Sequence, residues 1–251
     1  TPATSSRKKK EGMSSSLLKD GASQRLSLLE EMVESEGKYV GSLRTIVESF
    51  VPQVKEKIIF GNVCELYEIH KVLLEKLVAL GRSTRAGLHK GRGARSVLAD
   101  AEATLARTFL EMAPFLKAAS RYCSNYGQAL AVMPKIGHIS KDGVDLPGYL
   151  VKPMQRITKY PLFFKDLARL SESNGEVLGE ALAAVENVAE TVNKAMDGAR
   201  VVDIFQNGFD AHESLGTLVT PSRRFHLEGR VAFRLRRKIH NNTKTTTTTT
   251  P

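Results

Sequence analysis

The chain has 251 residues, of which 41% are hydrophobic, so it is long enough to bury a core in one large or two small domains. Its formal charge of +10 lies at the ends: residues 1–20 carry five Lys or Arg against two acids, residues 221–251 carry eight against one, and residues 21–220 carry 24 of each. The neutral middle argues against a nucleic-acid-binding body, and no apolar run approaches the roughly 18 residues of a membrane span.

The first part of the chain changes character near residue 23. Residues 1–22 are polar and rich in Ser and Lys, which predicts a disordered lead-in. From Gln24 to Phe50 the apolar residues follow helical spacing, which predicts a long first helix. Glu36 falls on its apolar stripe. A carboxylate there must be paired, lie at an exposed helix edge, or face a partner.

Residues 58–80 predict a second helix, with Asn62 as its N-cap and Glu65 completing a capping box. His70 has no metal-ligand companion at helical spacing, so we expect it at the surface or at a helix edge. Residues 81–96 are rich in Gly and Arg and predict a flexible loop.

Two more helical stretches follow. Residues 97–132 predict a long helix that Pro114 bends or splits in two. An apolar stripe over residues 177–196 predicts a last long helix that continues toward Phe205. Asn193 lies beside this stripe on a polar line, where an ordinary solvated residue is expected.

Between these helices, Leu146–Leu170 combines apolar residues, a basic and polar cluster, and the prolines Pro153 and Pro161. Apolar residues at steps of three and four still predict a helix, which the prolines bend, with one buried and one mixed face. The residues alone therefore predict an elongated all-α bundle that acts by binding.

Motifs for covalent or metal chemistry are missing from the sequence. It has no HExxH motif, no Gly-rich phosphate loop and no readable Ser-His-Asp arrangement. Cys64 and Cys123 lie far apart without a CxxC motif, and we expect both to be small buried hydrophobic residues rather than metal ligands or a disulfide pair. No metal and no cofactor are predicted.

Several segments resemble one family. LPGYLVKPMQRITKYPLFFKDL closely resembles the most characteristic segment of the Dbl homology (DH) domain, the module by which guanine nucleotide exchange factors act on Rho-family GTPases. Residues 34–40 resemble its first-helix pattern TExxYV, with Ser in place of Thr. Residues 58–77 are similar to its second helix and residues 109–130 to its central region. The resemblance implies a DH domain over residues 23–206, folded as an elongated helical bundle.

The resemblance also implies roles for single residues. Glu36 corresponds to the glutamate that engages switch I of the GTPase, and Lys165 to the lysine that pairs with acidic groups of switch II. Asn193 resembles the last-helix asparagine that also contacts switch II. Such a module promotes GDP release by stabilising the nucleotide-free GTPase, without covalent chemistry and without a cofactor. Supporting positions in the motif are Gln155, Arg156, Lys159, Leu162 and Asp166, where a structural role is favoured for the Gln155–Arg156 pair.

Residues 207–251 form a linker, a stretch that resembles the first strand of a pleckstrin homology domain, and a Thr-rich tail. One strand cannot form that domain, so an incomplete β segment is predicted. Its basic residues suggest a weak contact with anionic membranes, and we expect a cytoplasmic protein that is recruited to a membrane.

Two alternatives to an active exchange factor stay open. Phe163 and Phe164 stand where the family usually has leucines, which is compatible with a catalytically weak DH scaffold that binds a GTPase or another protein without promoting exchange. The basic C-terminal segment is compatible with a helical membrane adaptor. No nucleic-acid partner is predicted.

Overall fold

The computed structural model describes the backbone of residues 5–208 and the side chains of residues 21–197. Within this range the chain is almost entirely helical, as predicted. A short antiparallel hairpin pairs Ser140 with Asp145 and Lys141 with Val144. The elements are α1 (Ser5–Thr45), α2 (Val63–His89), α3 (Ala94–Leu116), α4 (Ala119–Val132), β1 (Ser140–Lys141), β2 (Val144–Asp145), α5 (Leu146–Leu150), α6 (Lys152–Ile157), α7 (Tyr160–Leu170) and α8 (Gly175–Gly208).

One continuous hydrophobic core holds the helices together. The long helix α8 packs along α3, α4 and α7, while α1 packs on α2 and α7. Leu43 of α1, Leu73 of α2, Phe109 of α3 and Val192 of α8 are fully buried in this core. Burial of such side chains, each worth about 1.5–3 kcal/mol, is the main force that aligns the helices. None of the described helices has an apolar stretch long enough to cross a membrane.

The segment Leu146–Leu170 forms three short helices instead of one bent helix. Each of them carries its proline in the first turn: Pro147 in α5, Pro153 in α6 and Pro161 in α7. Proline is tolerated there because the first-turn N–H groups have no acceptor within the helix. Each proline thus lies at the start of a new helix, and the helical segment is interrupted at Val151 and again at Thr158 and Lys159.

The stretch around Pro114 is split in two, as predicted, although α3 continues through the proline itself. Pro114 lies inside the last turn of α3, and the helical pattern breaks at residues 117–118 before α4 begins. The long stretch from Val97 to Val132 is therefore split into two helices.

The prediction of a flexible loop over residues 81–96 is wrong, because α2 continues to His89 and only residues 90–93 connect it to α3. Gly87 of this helix faces Val97: a Cβ atom at Gly87 would lie 3.1 Å from Val97 Cγ2. The glycine allows α2 and α3 to approach each other closely instead of making the chain flexible.

The hydrogen bonds at the start of the second helix differ from the predicted capping box. The helix begins after Asn62, but the Asn62 side chain makes no capping bond to the backbone. Its Nδ2 donates instead to Glu65 Oε2 (2.9 Å) and to the carbonyl of Ala118 (3.1 Å). Asn62 therefore ties the start of α2 to the break between α3 and α4.

The ends of the chain differ in part from the prediction. Residues 5–22, predicted to be disordered, continue α1 toward the N-terminus. Leu, Met, Lys and Ala in this stretch are good helix formers, and adding turns to an existing helix is far easier than nucleating one. At the other end α8 reaches Gly208, two residues beyond the predicted domain end. The predicted β segment and the basic tail, residues 209–251, lie outside the described residues.

Candidate functional site

The surface where α6 and α7 meet α8 carries most of the predicted binding residues. Lys165 Nζ of α7 lies 2.8 Å from Glu186 Oε1 of α8, so these two points of the helices lie side by side. Asn193 lies seven residues further along α8, about 10 Å along the helix axis at 1.5 Å per residue, level with the start of α7. We name this surface the α7–α8 seam. We use this name for six exposed residues on these three segments: Gln155, Lys159, Leu162, Lys165, Asp166 and Asn193.

The α7–α8 seam combines exposed charges with an exposed apolar side chain. Leu162 is 60% exposed, although it is a large hydrophobic residue. Lys159 and Asn193 are exposed as well, and the Lys165 side chain is 56% exposed. Leu162 therefore offers apolar contact area to a partner, and the charged and amide groups around it offer polar contacts.

The ion pair between Lys165 and Glu186 is held weakly. Both side chains are about half exposed, at 56% and 46%. Ion pairs of this kind contribute about 0–1 kcal/mol, because water screens them and two side chains lose freedom. A carboxylate from a partner can therefore take the place of Glu186 beside Lys165 at little cost.

Glu36 lies inside the bundle, with none of its side chain exposed. Its Oε1 is 2.8 Å from His70 Nδ1 of α2. Its Oε2 accepts hydrogen bonds from Arg156 Nε and from the Tyr160 hydroxyl, both at 2.8 Å. One carboxylate thus joins α1, α2, α6 and α7, and we name Glu36, His70, Arg156 and Tyr160 the buried cluster.

Arg156 is fixed on several sides. It is 4% exposed, and its Nη1 donates to Ser35 Oγ at 3.0 Å. Its guanidinium carbon lies 4.9 Å from the centre of the Tyr160 ring, a cation–π arrangement. Its neighbour Gln155 points to solvent. Of the two adjacent residues, the structure therefore places only Gln155 where a partner could touch it.

The buried cluster corrects the expectation for His70 and shows where Glu36 lies in the free chain. His70, expected at the surface or at an edge, is fully buried. Glu36, to which the resemblance assigned a direct contact with switch I, has both oxygens bonded inside the bundle and no exposed surface, so in this conformation it is paired and does not reach a partner. The lone signal in the sequence was a carboxylate on an apolar stripe, which demands donors. Those donors, Arg156 and Tyr160, lie more than a hundred residues away.

Electrostatics keep this carboxylate ionised. Burial raises the pKa of Glu36, but the hydrogen bond and charge of His70, the charge of Arg156 and the Tyr160 hydroxyl together lower it below its ordinary value. Burial, followed by the charge of Glu36, raises the pKa of Tyr160 well above its ordinary value. Tyr160 therefore stays protonated and donates to a charged acceptor.

We expect the buried cluster to make stability depend on pH in the acid range. The pKa of Glu36 is lower in the folded chain than its ordinary value of 4.5, so the unfolded chain binds more protons there. The stability that ionised Glu36 contributes is then fully present above pH 4.5, and it is lost as the pH falls through the pKa of Glu36 in the folded chain. Urea unfolding followed by circular dichroism between about pH 3 and 6 measures the slope.

Glu36→Gln is the matched control for this titration. Its side-chain amide cannot ionise, and every other carboxylate of the variant is the same as in the parent chain. A difference in pH dependence between the two chains therefore comes from Glu36. We expect a shallower dependence of unfolding free energy on pH in Glu36→Gln, and equal slopes would contradict the assignment.

A second buried ion pair was not predicted. Arg25 Nε lies 2.5 Å from Glu102 Oε1, with the side chains 2% and 0% exposed. Glu102 Oε2 also accepts from Ser171 Oγ (2.7 Å) and from Asn174 Nδ2 (3.1 Å). This network joins α1 and α3 to the turn between α7 and α8. It lies at the opposite end of α7 from Tyr160, about 16 Å away along the helix.

The cysteines offer no metal site. Cys123 is buried, and burial raises the pKa of its thiol to about 12, whereas Cys64 is exposed, against expectation. In the part of the chain that the structure describes, no group of three or more His, Cys, Asp or Glu side chains could hold a metal ion.

Comparison with known proteins identifies a family over most of the described range. The RhoGEF domain family matches residues 28–193, more than half of the chain. Among curated relatives, the chain is 30% identical over 194 residues to the Rho guanine nucleotide exchange factor TIAM2 of Mus musculus. This alignment covers 66% of this chain and 11% of that protein. It is 24% identical over 233 residues to the Myosin-M heavy chain of Dictyostelium discoideum. This alignment covers 83% of this chain and 13% of that protein.

A third relative is the phosphatidylinositol 3,4,5-trisphosphate-dependent Rac exchanger 1 protein of Mus musculus, 24% identical over 204 residues, covering 68% of this chain and 12% of that protein. The chain thus spans only 11 to 13% of the length of these relatives. Among solved structures, autoinhibited Vav1 is similar in fold, with a TM-score of 0.61 at 22% identity over 78% of this chain and 39% of the Vav1 chain.

Proposed function

Because the chain belongs to the RhoGEF domain family, we propose that it is a guanine nucleotide exchange factor for a Rho-family small GTPase. The names of two of its relatives, a Rho guanine nucleotide exchange factor and a Rac exchanger, support this proposal. The structural observation that supports it most is the α7–α8 seam, where Lys165 on α7 and Asn193 on α8 are both exposed and where the buried cluster anchors α7 through Tyr160.

The reaction is a shift of a binding equilibrium. A protein that binds the nucleotide-free GTPase more tightly than the GDP-bound form lowers the affinity for GDP by the same factor. GDP then leaves and GTP binds in its place. In this mechanism Lys165 attracts an acidic group of the GTPase, Asn193 offers an amide donor and acceptor, and Leu162 supplies apolar contact area.

Glu36 has an indirect part in this proposal. It holds Arg156 and Tyr160, and through them α6 and α7, which form the seam together with α8. Direct engagement of switch I by Glu36 would require the buried cluster to open, which breaks hydrogen bonds to three side chains. We therefore propose that Glu36 shapes the binding surface from inside the bundle.

The alternative of a catalytically weak scaffold rested on the bulk of Phe163 and Phe164 near Lys165. Phe164 is fully buried, and its ring centre lies 5.0 Å from that of Phe109 in an edge-to-face arrangement. Phe163 is half-buried and packs against the core. The bulk of Phe164 is therefore inside the core, where it does not crowd Lys165. A membrane contact through the basic C-terminal segment and a cytoplasmic location stay predictions.

Nucleotide release from purified Rho-family GTPases tests the proposal directly. Each GTPase is loaded with a fluorescent GDP analogue, and the loss of fluorescence is followed after excess GTP and the full chain are added. We expect faster release from at least one member of the panel. No acceleration of any member at saturating chain concentration would overturn the proposed function.

Asn193→Ala tests the α8 side of the seam in the same assay. We expect about a tenfold loss of exchange, because the variant leaves polar groups of the partner unpaired at about 1–2 kcal/mol. Its matched control is Glu180→Ala, an exposed residue on the same helix about 20 Å from Asn193 along the helix axis. We expect the control to retain full activity, and equal rates for both variants would contradict the role of Asn193.

A further inference from the structure

His70 is a fully buried histidine in the first third of α2. The family resemblance assigned no role to it, and it is too deep to touch a partner. Its Nδ1 nevertheless meets Glu36, the residue on which α1, α6 and α7 converge. We propose that His70 is a positioning residue for the α7–α8 seam, acting through Glu36 on the helices that carry the seam.

The ring of His70 is held in one orientation. The Tyr39 ring meets it edge-on, with the ring centres 4.8 Å apart and the planes at 89°. The Tyr160 ring lies nearly parallel to it at 6.4 Å, with the planes at 14°. Two aromatic neighbours thus fix the direction in which Nδ1 points, and that direction is toward Glu36 Oε1.

The hydrogen-bond partners determine where the ring proton lies. Glu36 is an ionised carboxylate and can only accept, so His70 Nδ1 must carry the hydrogen of the 2.8 Å contact. His70 Nε2 is buried and has no hydrogen-bond partner among the described residues. His70 therefore supplies one directed N–H to Glu36.

The carboxylate divides its two oxygens between two parts of the bundle. Oε1 is occupied by α2 through His70, and Oε2 receives both donors from α6 and α7. Without the donor on Oε1, the carboxylate is free to rotate and to share its oxygens differently with Arg156. Rotation of the carboxylate moves the anchor of α6 and α7, and the exposed end of Lys165 moves with it.

Two substitutions distinguish the hydrogen bond from His70 to Glu36 from the packing of the His70 ring in the core. His70→Asn places its Nδ2–H close to the position of the histidine Nδ1–H. It lacks a counterpart of Nε2, the ring nitrogen that has no hydrogen-bond partner among the described residues. His70→Gln carries the same amide one bond further out, near the position of Nε2, and leaves Oε1 without its donor. Both remove the aromatic ring and leave a void, so a purely structural role predicts similar losses from both.

We expect His70→Asn to stay within about threefold of the parent rate in the GDP-release assay, and His70→Gln to lose about tenfold, with similar thermal unfolding midpoints for the two. Ser171→Ala is the control for loss of a buried hydrogen bond, because it removes a donor to Glu102 in the other buried network. It should lower the unfolding midpoint and leave exchange unchanged. Equal rates for His70→Asn and His70→Gln would overturn the proposal.

This proposal rests on the proposed function only for its activity readout. Backbone amide chemical shifts of the full chain test it without any GTPase. We expect His70→Gln to shift the amides of residues 152–165 and His70→Asn to leave most of them in place, whereas Ser171→Ala shifts amides near residue 171. If the parent chain is inactive on every GTPase, the proposed function fails and the shifts still decide the role of His70. The same shift pattern in both His70 variants would overturn that role.

Discussion

Glu36→Ala is expected to lower the free energy of unfolding by about 3–5 kcal/mol, since it leaves the charged Arg156 side chain buried without its partner. Arg156 is 4% exposed and has few other acceptors: Ser35 Oγ receives one of its N–H groups. Urea denaturation at neutral pH measures the loss. Such a loss is a large part of the stability of an ordinary domain, about 5–15 kcal/mol.

Glu34→Ala is the matched control, because Glu34 lies two residues away on the same helix and is 68% exposed. Its ion pair with Lys38 is at the surface, so we expect almost no change in stability. A loss below about 1 kcal/mol for Glu36→Ala would show that Arg156 finds other partners or water, and would contradict the buried cluster as drawn.

A double substitution separates stability from activity. Buried ion pairs replaced by apolar residues of similar volume are often neutral or stabilising, so Glu36→Leu combined with Arg156→Met should recover the share of the lost stability that comes from the unpaired Arg156 charge, while the His70 and Tyr160 donors stay without their acceptor. It does not restore the directed hydrogen bonds that hold α6 and α7. We therefore expect a folded chain with weak exchange, and full exchange in this variant would show that the buried cluster serves stability alone.

Lys165→Glu is expected to reduce exchange about 100-fold while the chain stays folded. The reason is that a charge reversal at a protein interface costs several kcal/mol when like charges meet, and the proposed partner presents an acidic group to Lys165. Lys165→Ala should lose less, about tenfold, since it removes attraction without adding repulsion. The GDP-release assay gives the rates, and thermal unfolding verifies that the fold is kept.

Glu186→Ala is the control that the structure offers. It removes the partner of Lys165 within the chain, at 2.8 Å, and leaves the lysine free. We expect exchange to be unchanged or slightly higher, because a partner no longer has to displace Glu186. A loss in Glu186→Ala as large as that in Lys165→Ala would mean that the ion pair itself, and not the free lysine, is what the partner recognises.

Helical periodicity predicted the class of fold because it depends on neighbours three and four residues apart. The stripe in α8 and the break after Pro114 were both visible in the sequence for that reason. Predictions failed where the same residue type fits two different structures. Gly87 indicated a loop, yet in the structure it allows close packing against Val97, and only the position of a second helix distinguishes the two.

The site shows the same division. The resemblance indicated Lys165 and Asn193, and the structure places them on the exposed seam of two antiparallel helices. It also indicated Glu36, yet that residue is buried with donors from three other helices. Whether a carboxylate on a helix stripe faces water, a partner or an arginine depends on side chains that are distant in sequence.

The sequence by itself determined that this chain is a helical bundle of the RhoGEF family, because helix spacing and family motifs are local patterns. Tertiary structure alone decided that Glu36 and Arg156 form an internal anchor and that His70 belongs to it. The physical reason is that burial and pairing of charges are properties of the packed bundle: His70 and Tyr160 lie 90 residues apart in the chain, yet they meet around one carboxylate.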